Sequence, residues 1–464
     1  MPSDIIDLVA SLRAEIAALM QENSDLRRRL GLSSSTSSKP PSSDGLGKKP
    51  QIKGSLRGRS GKRSGGQAGH RGDTLRQVAT PDKVERHAAS ACTHCQNPLT
   101  SAMIRGVEKR QVFDLLVPRL EVVEHQGAVY RCSCCRGTTR AAFPTAVGGH
   151  VQYGEKLRAT AIYLNVQQLV PEDRVRDILR DLFGADRLCP ASIVGWGTQK
   201  AAELAPVATR IAALVAAAPV RHLDETGMRV TGQTQWLHVA ATSGLTHYRV
   251  SPKRGAVPGM FTDGIVVHDH FKPYFSLEAV GHALCNAHHL RELQAVTKYD
   301  HENWSNKMAR LLVGAANLVR RAVANGAACL ADGLTRRITA LYDQIIRRGI
   351  ALHESQVPLP RKPGARGKTA KRTGHNLLLR LRDFKAETLR FMADFNVPFT
   401  NNQAEQDVRM MKVKMKISGG FRSTDGADTF ATLRSVISTA RKQGWDMVKT
   451  LNATPATLIQ ELRA

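Results

Sequence analysis

The chain has 464 residues and a formal net charge of +27, from 67 Lys and Arg against 40 Asp and Glu. This length predicts two to four folded units, at least one of them large enough for a catalytic core. The charge excess indicates a polyanionic partner, above all nucleic acid, and solubility alone is the alternative explanation. No apolar stretch is long enough to cross a bilayer and the first residues are acidic, which argues against a membrane or secreted protein. We expect a cytoplasmic, nucleoid-associated protein.

Residues 5–30 carry an apolar heptad repeat. Its two core series, each at seven-residue spacing, are Ile5, Leu12, Leu19 and Leu26, and Val9, Ile16, Asn23 and Leu30. This composition favours a parallel two-stranded coiled coil, and hence a homodimer or higher oligomer. Because fewer than four full heptads are present, an amphipathic helix that lies on its own protein is the alternative.

A low-complexity segment follows at residues 31–75. Its Ser, Pro, Gly and basic residues cannot bury enough apolar surface to fold, which predicts a flexible linker. Eight Lys or Arg and no acidic residue lie between Lys48 and Arg71, so this segment could lie along DNA phosphates and release counterions. A solvated tether explains the same composition almost as well.

Two Cys-x-x-Cys pairs come next and predict a structural zinc site. Cys92 and Cys95 are separated by 36 residues from Cys132 and Cys135, and a closed Zn²⁺ site takes four such thiolates at tetrahedral corners. Eight cysteines in a cytosolic chain of this length also favour metal ligands and buried thiols over a disulfide framework.

The spacer between the cysteine pairs alternates apolar and polar residues. This pattern predicts strands at Gln111–Val117 and Leu120–Glu124 and, together with the cysteines, a zinc ribbon. Cys134 and His94 leave the ligand set open by one residue, and free buried cysteines are the alternative.

The next segment has a helical pattern. Within it, Arg174–Phe183, a turn at Gly184 and Ser192–Lys200 resemble a helix-turn-helix, with Ser192 as N-cap and Trp196 packing the second helix down. Two ordinary core helices are at least as good a description of the same residues.

From residue 218 the pattern changes to short strands. They are predicted at Val220–Thr226, Gln235–Ala241, Thr246–Val250 and Ile265–His268. The first three suggest an antiparallel meander, and the fourth is typical of a buried central strand. Asp224 lies on the first strand and Asp269 directly follows the fourth, so a sheet could bring the two acids side by side. Such a pair suits Mg²⁺, which also accepts phosphate oxygens, whereas an isolated Asp on a strand more often caps a turn or pairs with Arg.

A further helix is predicted from about Asn402. One of its faces carries Glu405, Arg409, Lys412 and Lys416, and an adjacent apolar stripe carries Val408, Met411 and Met415. A metal-binding acid beside phosphate-binding cations produces this arrangement, and so does a solvated face with salt bridges.

Four extended motifs surround these acids. They are His222-Leu-Asp-Glu-Thr-Gly, Asp269-x-x-x-x-Tyr274, Asn401-Asn-x-Ala-Glu-x-x-x-Arg409 and Gly420-Phe-Arg-Ser-x-x-Gly-Ala. Together they resemble the insertion-sequence-66 family of bacterial transposases. The similarity runs nearly end to end, because that family also has the leucine zipper, the Ser-Lys-Pro-Pro-Ser linker, the Gly-Gly-Gln-x-Gly-His segment and the cysteine pairs.

The resemblance implies a DDE transposase that binds terminal inverted repeats, cleaves DNA and joins the ends to target DNA. Asp224, Asp269 and Glu405 would form the catalytic triad and hold Mg²⁺ or Mn²⁺. The basic residues expected to contact DNA are Arg409, Lys412, Lys416 and Arg422. Further partners would be target DNA and small accessory proteins of the same element. A catalytically inactive, transposase-derived DNA-binding regulator is the alternative, against which the intact acids argue.

The implied fold is multidomain α+β around a ribonuclease-H-like α/β catalytic core. Its segments would be a coiled-coil dimerisation helix at 1–30, a basic linker at 31–75, a zinc ribbon at 76–148, a helical region at 149–217, the catalytic core at 218–425 with a helical insertion at about 300–395, and C-terminal helices at 426–464. Cys285-x-x-His288 resembles a signature of several DDE families, with packing and hydrogen bonding favoured over a DNA or metal contact. The basic run Arg361–His375 is predicted to be an exposed loop.

Overall fold

The computed structural model describes residues 75–114, 119–257, 261–359 and 369–463, with scattered helical positions between residues 5 and 26. Apart from residue 75, the predicted basic linker lies outside the described residues, and so do residues 361–368 of the predicted basic loop. As far as it is described, the chain divides into two compact units, one of residues 50–123 with 182–184 and one of the remainder.

The described positions between residues 5 and 26 are helical, as the heptad repeat predicts. Their exposed large apolar side chains are Ile5, Leu8, Val9, Leu12, Ile16, Leu19, Met20 and Leu26. An apolar helix face that the described part of the chain leaves exposed is what a coiled coil requires. The pairing itself stays a prediction.

Two short strands flank the second cysteine pair. β1 (Val129–Arg131) and β2 (Thr138–Arg140) form an antiparallel hairpin. The two strands predicted in the spacer are wrong over residues 111–114 and 119–124, which carry no strand. Val122 is 90% exposed, so its apolar side chain packs against little of the described part of the chain.

Three helices precede the main sheet. They are α1 (Glu155–Ile162), α2 (Glu172–Phe183) and α3 (Pro190–Ala216). The predicted N-cap at Ser192 is wrong, because α3 begins at Pro190 with Cys189 as its N-cap. Proline favours the first helical position, since its φ is already helical and it lacks the N–H that would have no partner there. Trp196 packs edge-on against Tyr153, with 5.7 Å between the ring centroids.

The main sheet has five strands. They are β3 (Val220–Val230), β4 (Gln233–Ala241), β5 (Thr246–Ser251), β6 (Ile265–His268) and β7 (Gly281–Leu284). Their order is β5-β4-β3-β6-β7; β3, β4 and β5 are antiparallel, whereas β3, β6 and β7 are parallel. The predicted strands and the antiparallel meander are therefore confirmed, as is the mixed α+β class.

Five helices separate β7 from the segment that carries Glu405. They are α4 (Asn286–Ala295), α5 (Asn303–Ala324), α6 (Asp332–Glu354), α7 (Thr373–Asp383) and α8 (Lys385–Ala393). They bury a core of their own around Leu293 and Tyr342. The two ends of this segment lie side by side, because the Asn286 N–H donates to the Phe399 carbonyl at 3.1 Å.

Four helices follow. They are α9 (Asn402–Ser418), α10 (Thr424–Lys442), α11 (Met447–Asn452) and α12 (Pro455–Glu461). Between α9 and α10 the chain returns to β3, where the Phe421 N–H donates to the Arg229 carbonyl at 2.8 Å. A Cβ at Gly420 would lie 2.5 Å from that carbonyl oxygen, so this close approach requires glycine. Ser423 then caps α10 by accepting from the Gly426 N–H. Backbone geometry therefore accounts for much of the Gly420-Phe-Arg-Ser motif.

The main core is built on the five-stranded sheet, with α3 and α10 packed against it. Leu204 and Ile211 of α3, Ile437 of α10 and Leu223 of β3 are each fully buried in this core. Burial of a side chain of this size contributes roughly 1.5–3 kcal/mol. The core therefore draws on helices from both sides of the range 218–425. None of the helices in the described part of the chain combines the length and apolarity that crossing a membrane requires.

Short 3₁₀ or π turns complete the described secondary structure. They lie at Ser101–Met103, Tyr163–Gln167, Lys272–Ser276 and Val296–Asp300.

Candidate active site

Asp224 and Asp269 lie at the same level of two neighbouring parallel strands. The register of β3 and β6 pairs His222 with Val267, and each aspartate comes two residues further along the chain. Because residues i and i+2 of a strand share a face, this register sets the two acids on the same face of the sheet. They lie level with the carboxyl ends of β6 and β7, the part of the molecule that is called the sheet edge here. Asp269 directly follows the last residue of β6, as predicted.

Both aspartates have a raised pKa. Burial raises the pKa of Asp224 well above its ordinary value, and the charges of Glu225 and Asp269 raise it further. Burial, followed by the charge of Glu225, raises the pKa of Asp269 to about 6. The Phe271 N–H, which donates to Asp269 Oδ1 at 2.8 Å, opposes this rise. A nearby cation would favour the ionised form of both groups.

Glu405 reaches this edge from the first turns of α9, and its charge raises the pKa of both aspartates. Asn401, the residue before the helix, fixes this position and is 1% exposed. Its Nδ2 donates to the Leu223 carbonyl at 2.7 Å, and its Oδ1 lies 2.8 Å from His222 Nδ1. Asn401 therefore ties the start of α9 to the strand that carries Asp224.

Cys285 and His288 lie beside Glu405. Cys285 is the N-cap of α4, and its Sγ accepts a hydrogen bond from the Asn401 N–H at 3.1 Å and lies 3.7 Å from Glu405 Oε1. Burial raises the pKa of Cys285 to about 12, so this side chain is a thiol at neutral pH. These contacts agree with the packing and hydrogen-bonding role that the sequence favours.

His288 contacts the same carboxylate oxygen, with its Nδ1 at 3.6 Å from Glu405 Oε1. Burial lowers the pKa of His288 to about 3, so the ring is neutral and the contact is not an ion pair. Within the described part of the chain, Cys285, His288 and Glu405 are the one group of three or more metal-ligating side chains whose ligand atoms all lie within 4.8 Å. The three acids predicted to be catalytic are all described, and they do not form so close a group.

Glu225 is a site residue that the sequence left without a role. Its side chain is 3% exposed, it accepts a hydrogen bond from the Tyr274 hydroxyl, and it pairs with Arg254 at 2.9 Å. The Arg254 guanidinium also stacks over Phe271 at 4.2 Å from the ring centroid. Tyr274 therefore reaches back to the residue after Asp224, which explains the spacing of the second motif. The position of Glu225 inside the first motif was the one available signal.

The basic residues predicted to contact DNA differ in exposure. Arg409 and Lys416 on α9 and Arg422 after it are exposed, whereas Lys412 is half-buried. Burial lowers the pKa of Lys412. Lys414, which the prediction left out, lies over Phe421 at 4.8 Å from the ring centroid.

The two cysteine pairs form separate turns of the same design. In each turn, the N–H of the first cysteine donates to the carbonyl five residues ahead, and the carbonyl of that cysteine accepts from the N–H of the residue after the second cysteine. The bonds are Cys92 N–H to Asn97 O and Gln96 N–H to Cys92 O, and Cys132 N–H to Gly137 O and Arg136 N–H to Cys132 O, all at 2.9 Å.

These turns also change the acidity of their first cysteine. Backbone N–H groups, that of Cys95 foremost, lower the pKa of Cys92, and those of Cys135 and its neighbour lower the pKa of Cys132. The thiolate is the form that binds zinc, so each turn is suited to supply ligands. A zinc site formed by all four cysteines stays a prediction.

Comparison with known protein families gives matches to two parts of the chain. The family model described as "Transposase IS66 family" matches residues 150–429, which is more than half of the chain and includes all three acids. A second model, described as a family of unknown function, matches residues 3–76. A search of curated proteins found no match. The resemblance seen in the sequence is thus confirmed, and the chain belongs to the IS66 family of transposases.

Proposed function

We propose that this chain is a metal-dependent DDE transposase that binds the terminal inverted repeats of its element, cleaves DNA and joins the ends to target DNA. Membership of the family supports a transposase role. The observation that carries the proposal is the approach of Asp224, Asp269 and Glu405, from β3, β6 and α9, to one edge of the sheet. A central first strand with an antiparallel meander on one side and parallel strands on the other also supports a ribonuclease-H-like core.

The three acids would hold Mg²⁺ or Mn²⁺. Carboxylate oxygens are the hard ligands that these ions take, and burial has already made the charged forms of Asp224 and Asp269 unfavourable without a cation. When bound, such ions stabilise charge on the attacking and leaving oxygens of a displacement at phosphorus. Asn401 positions Glu405, while Tyr274 and Arg254 keep Glu225 in place beside the aspartates.

The remaining parts of the chain would handle DNA and assembly. Arg409, Lys416 and Arg422 are exposed beyond Glu405, and together with Lys412 they would contact phosphates. The exposed apolar face of the N-terminal helix would pair subunits, and the zinc-loaded cysteine turns and residues 149–217 would grip the transposon ends. Such a protein would work in the cytoplasm on the nucleoid, with small accessory proteins of the same element as further partners.

The test is Mg²⁺-dependent cleavage and strand joining on terminal-repeat DNA. We expect Asp269→Asn to lower the cleavage rate by roughly a thousandfold or more, because the loss of a metal ligand removes several kcal/mol of transition-state stabilisation. Asp332→Asn is the matched control. Asp332 is exposed at the first residue of α6, so we expect near wild-type cleavage.

Two outcomes would count against the proposal, each in a different place. A wild-type protein that binds the repeats but never cuts them, even with accessory proteins added, would show that the chain is not an active transposase. An Asp269→Asn variant that joins strands as fast as the wild type would instead refute the assignment of the site.

A further inference from the structure

Cys285, His288 and Glu405 present three ligand atoms at distances suited to one metal ion. Glu405 Oε1 lies 3.7 Å from Cys285 Sγ and 3.6 Å from His288 Nδ1, and the three atoms all lie within 4.8 Å of one another. A tetrahedral zinc ion with bonds of about 2.0–2.3 Å separates its ligand atoms by about 3.3–3.7 Å. The two distances that involve Glu405 therefore fit zinc, and Cys285 Sγ and His288 Nδ1 lie within 4.8 Å of each other.

The surroundings of the trio also suit a bound ion. His288 Nδ1 is buried and has no hydrogen-bond partner among the described residues. A buried polar atom in this state is destabilising, and a metal bond would satisfy it. Cys285 and His288, two of the three ligands, also line a cavity of about 200 Å³ together with Asp269 and Arg380, which is large enough for a water molecule as fourth ligand.

We propose that Cys285, His288 and Glu405 form a second metal site, which binds Zn²⁺ and competes with the catalytic cation for Glu405. Zinc would bind Cys285 as the thiolate and release the thiol proton to solvent. Thiolate and imidazole ligands select zinc over magnesium, whereas the site of three carboxylates favours magnesium. Glu405 belongs to both sets, so zinc held by Cys285 and His288 occupies an oxygen that the catalytic ion needs. The proposal that zinc binds here does not depend on the proposed function, whereas the proposal that zinc inhibits cleavage rests on it.

Binding is tested with Co²⁺ as a spectroscopic substitute for zinc in the full-length chain, through the thiolate-to-cobalt charge-transfer absorption. Any cobalt bound at the cysteine turns would contribute equally to all variants. We expect the wild type to bind one more thiolate-linked equivalent than Cys285→Ser, and His288→Gln to bind that equivalent at least about 10–100-fold more weakly. Cys329→Ser removes an exposed thiol and is expected to match the wild type.

Equal cobalt stoichiometry and affinity in the wild type, Cys285→Ser and His288→Gln would overturn the site and leave the trio as packing alone. His288→Gln decides if Cys285→Ser fails to fold, because the Cys285 thiol accepts from the Asn401 N–H while His288 Nδ1 has no partner among the described residues. Far-ultraviolet circular dichroism and thermal unfolding report on the fold of each variant.

Competition is tested by adding Zn²⁺ to cleavage reactions supported by excess Mg²⁺, with each variant compared with its own zinc-free rate. We expect the zinc concentration for half inhibition to be at least about 10-fold higher in His288→Gln than in the wild type. Zinc that binds without slowing cleavage would contradict the sharing of Glu405. A chain that cleaves under no condition would count against the proposed function, and the cobalt titration would still decide the site.

Discussion

The sheet edge and the cysteine turns hold their functional side chains in different ways. At the sheet edge, Asn401 is 1% exposed and links β3 to α9 through interior hydrogen bonds, over a continuous apolar core. At the cysteine turns, the described hydrogen bonds are local, and the adjacent Leu99 and Val129 are 39% and 61% exposed. The chain preforms the first site by its own packing, whereas each cysteine turn is held by local hydrogen bonds, and the large apolar residues described beside it are exposed.

The largest effect that we expect from this difference is the response of the two regions to removal of zinc. Structural zinc contributes about 10–16 kcal/mol in zinc-finger peptides, and the apolar residues near the turns have little burial to replace it. We therefore expect a strong chelator to abolish hydrogen-exchange protection at residues 90–98 and 129–140, while residues 220–268 keep theirs. Loss of protection in both regions at once would mean that the sheet depends on the metal as well.

Asn401→Ala is expected to disturb the sheet edge and to leave the cysteine turns intact, the reverse of zinc removal. The substitution leaves His222 Nδ1 and the Leu223 carbonyl buried without their partner, which costs about 1–3 kcal/mol for each group. We expect a lower free energy of unfolding by urea and slower cleavage, with cobalt binding at the cysteine turns unchanged. Asn402→Ala, at the exposed neighbouring position, is the control. Equal stability of the two variants would show that Asn401 does not anchor α9.

The smallest expected effect is a pH dependence confined to the sheet edge. The pKa of Asp269 is raised to about 6 in the folded chain, so the folded state binds a proton that the unfolded state releases near pH 4. In metal-free protein this contribution is present below about pH 4 and is lost as the pH rises through about 6.

Comparison of the wild type with Asp269→Asn isolates this contribution from that of the buried histidines, whose lowered pKa values act in the opposite sense. We expect the difference in unfolding free energy to change by up to about 3 kcal/mol between pH 4 and pH 7, and Mg²⁺ at pH 7 to offset it. A difference that stays constant with pH in calorimetry would contradict the raised pKa of Asp269.

Sequence patterns found the parts of the catalytic region that depend on local periodicity. The strands that carry Asp224 and precede Asp269, and the helix that starts at Asn402, follow from alternation, a buried run and helical spacing. The links between these elements lay beyond local patterns, because Asn401 and His222 are 179 positions apart. For the same reason, the partners of Glu225 could not be predicted, since Tyr274 is 49 positions away.

The two strands predicted between the cysteine pairs were wrong because a local pattern does not determine what a segment packs against. Alternation around Val112 and Val122 reports that one face of an extended segment is apolar, but it does not supply a neighbouring strand or a core. Hydrophobic periodicity carries no information on zinc affinity either, although the spacing of Cys92 from Cys95 was enough to predict a pair of zinc ligands.

The segment of five helices between β7 and α9 begins and ends at neighbouring positions in the structure. The Asn286 N–H donates to the Phe399 carbonyl, and the Asn401 N–H donates to Cys285 Sγ, so hydrogen bonds hold the two ends of this segment side by side. Since the entropy of closing a loop grows only slowly with its length, we expect the exposed turn between α5 and α6 to accept added residues without a change in the spacing of the acids. We expect this segment to be the place where evolution varies the length of such proteins, and where a reporter domain can be spliced in.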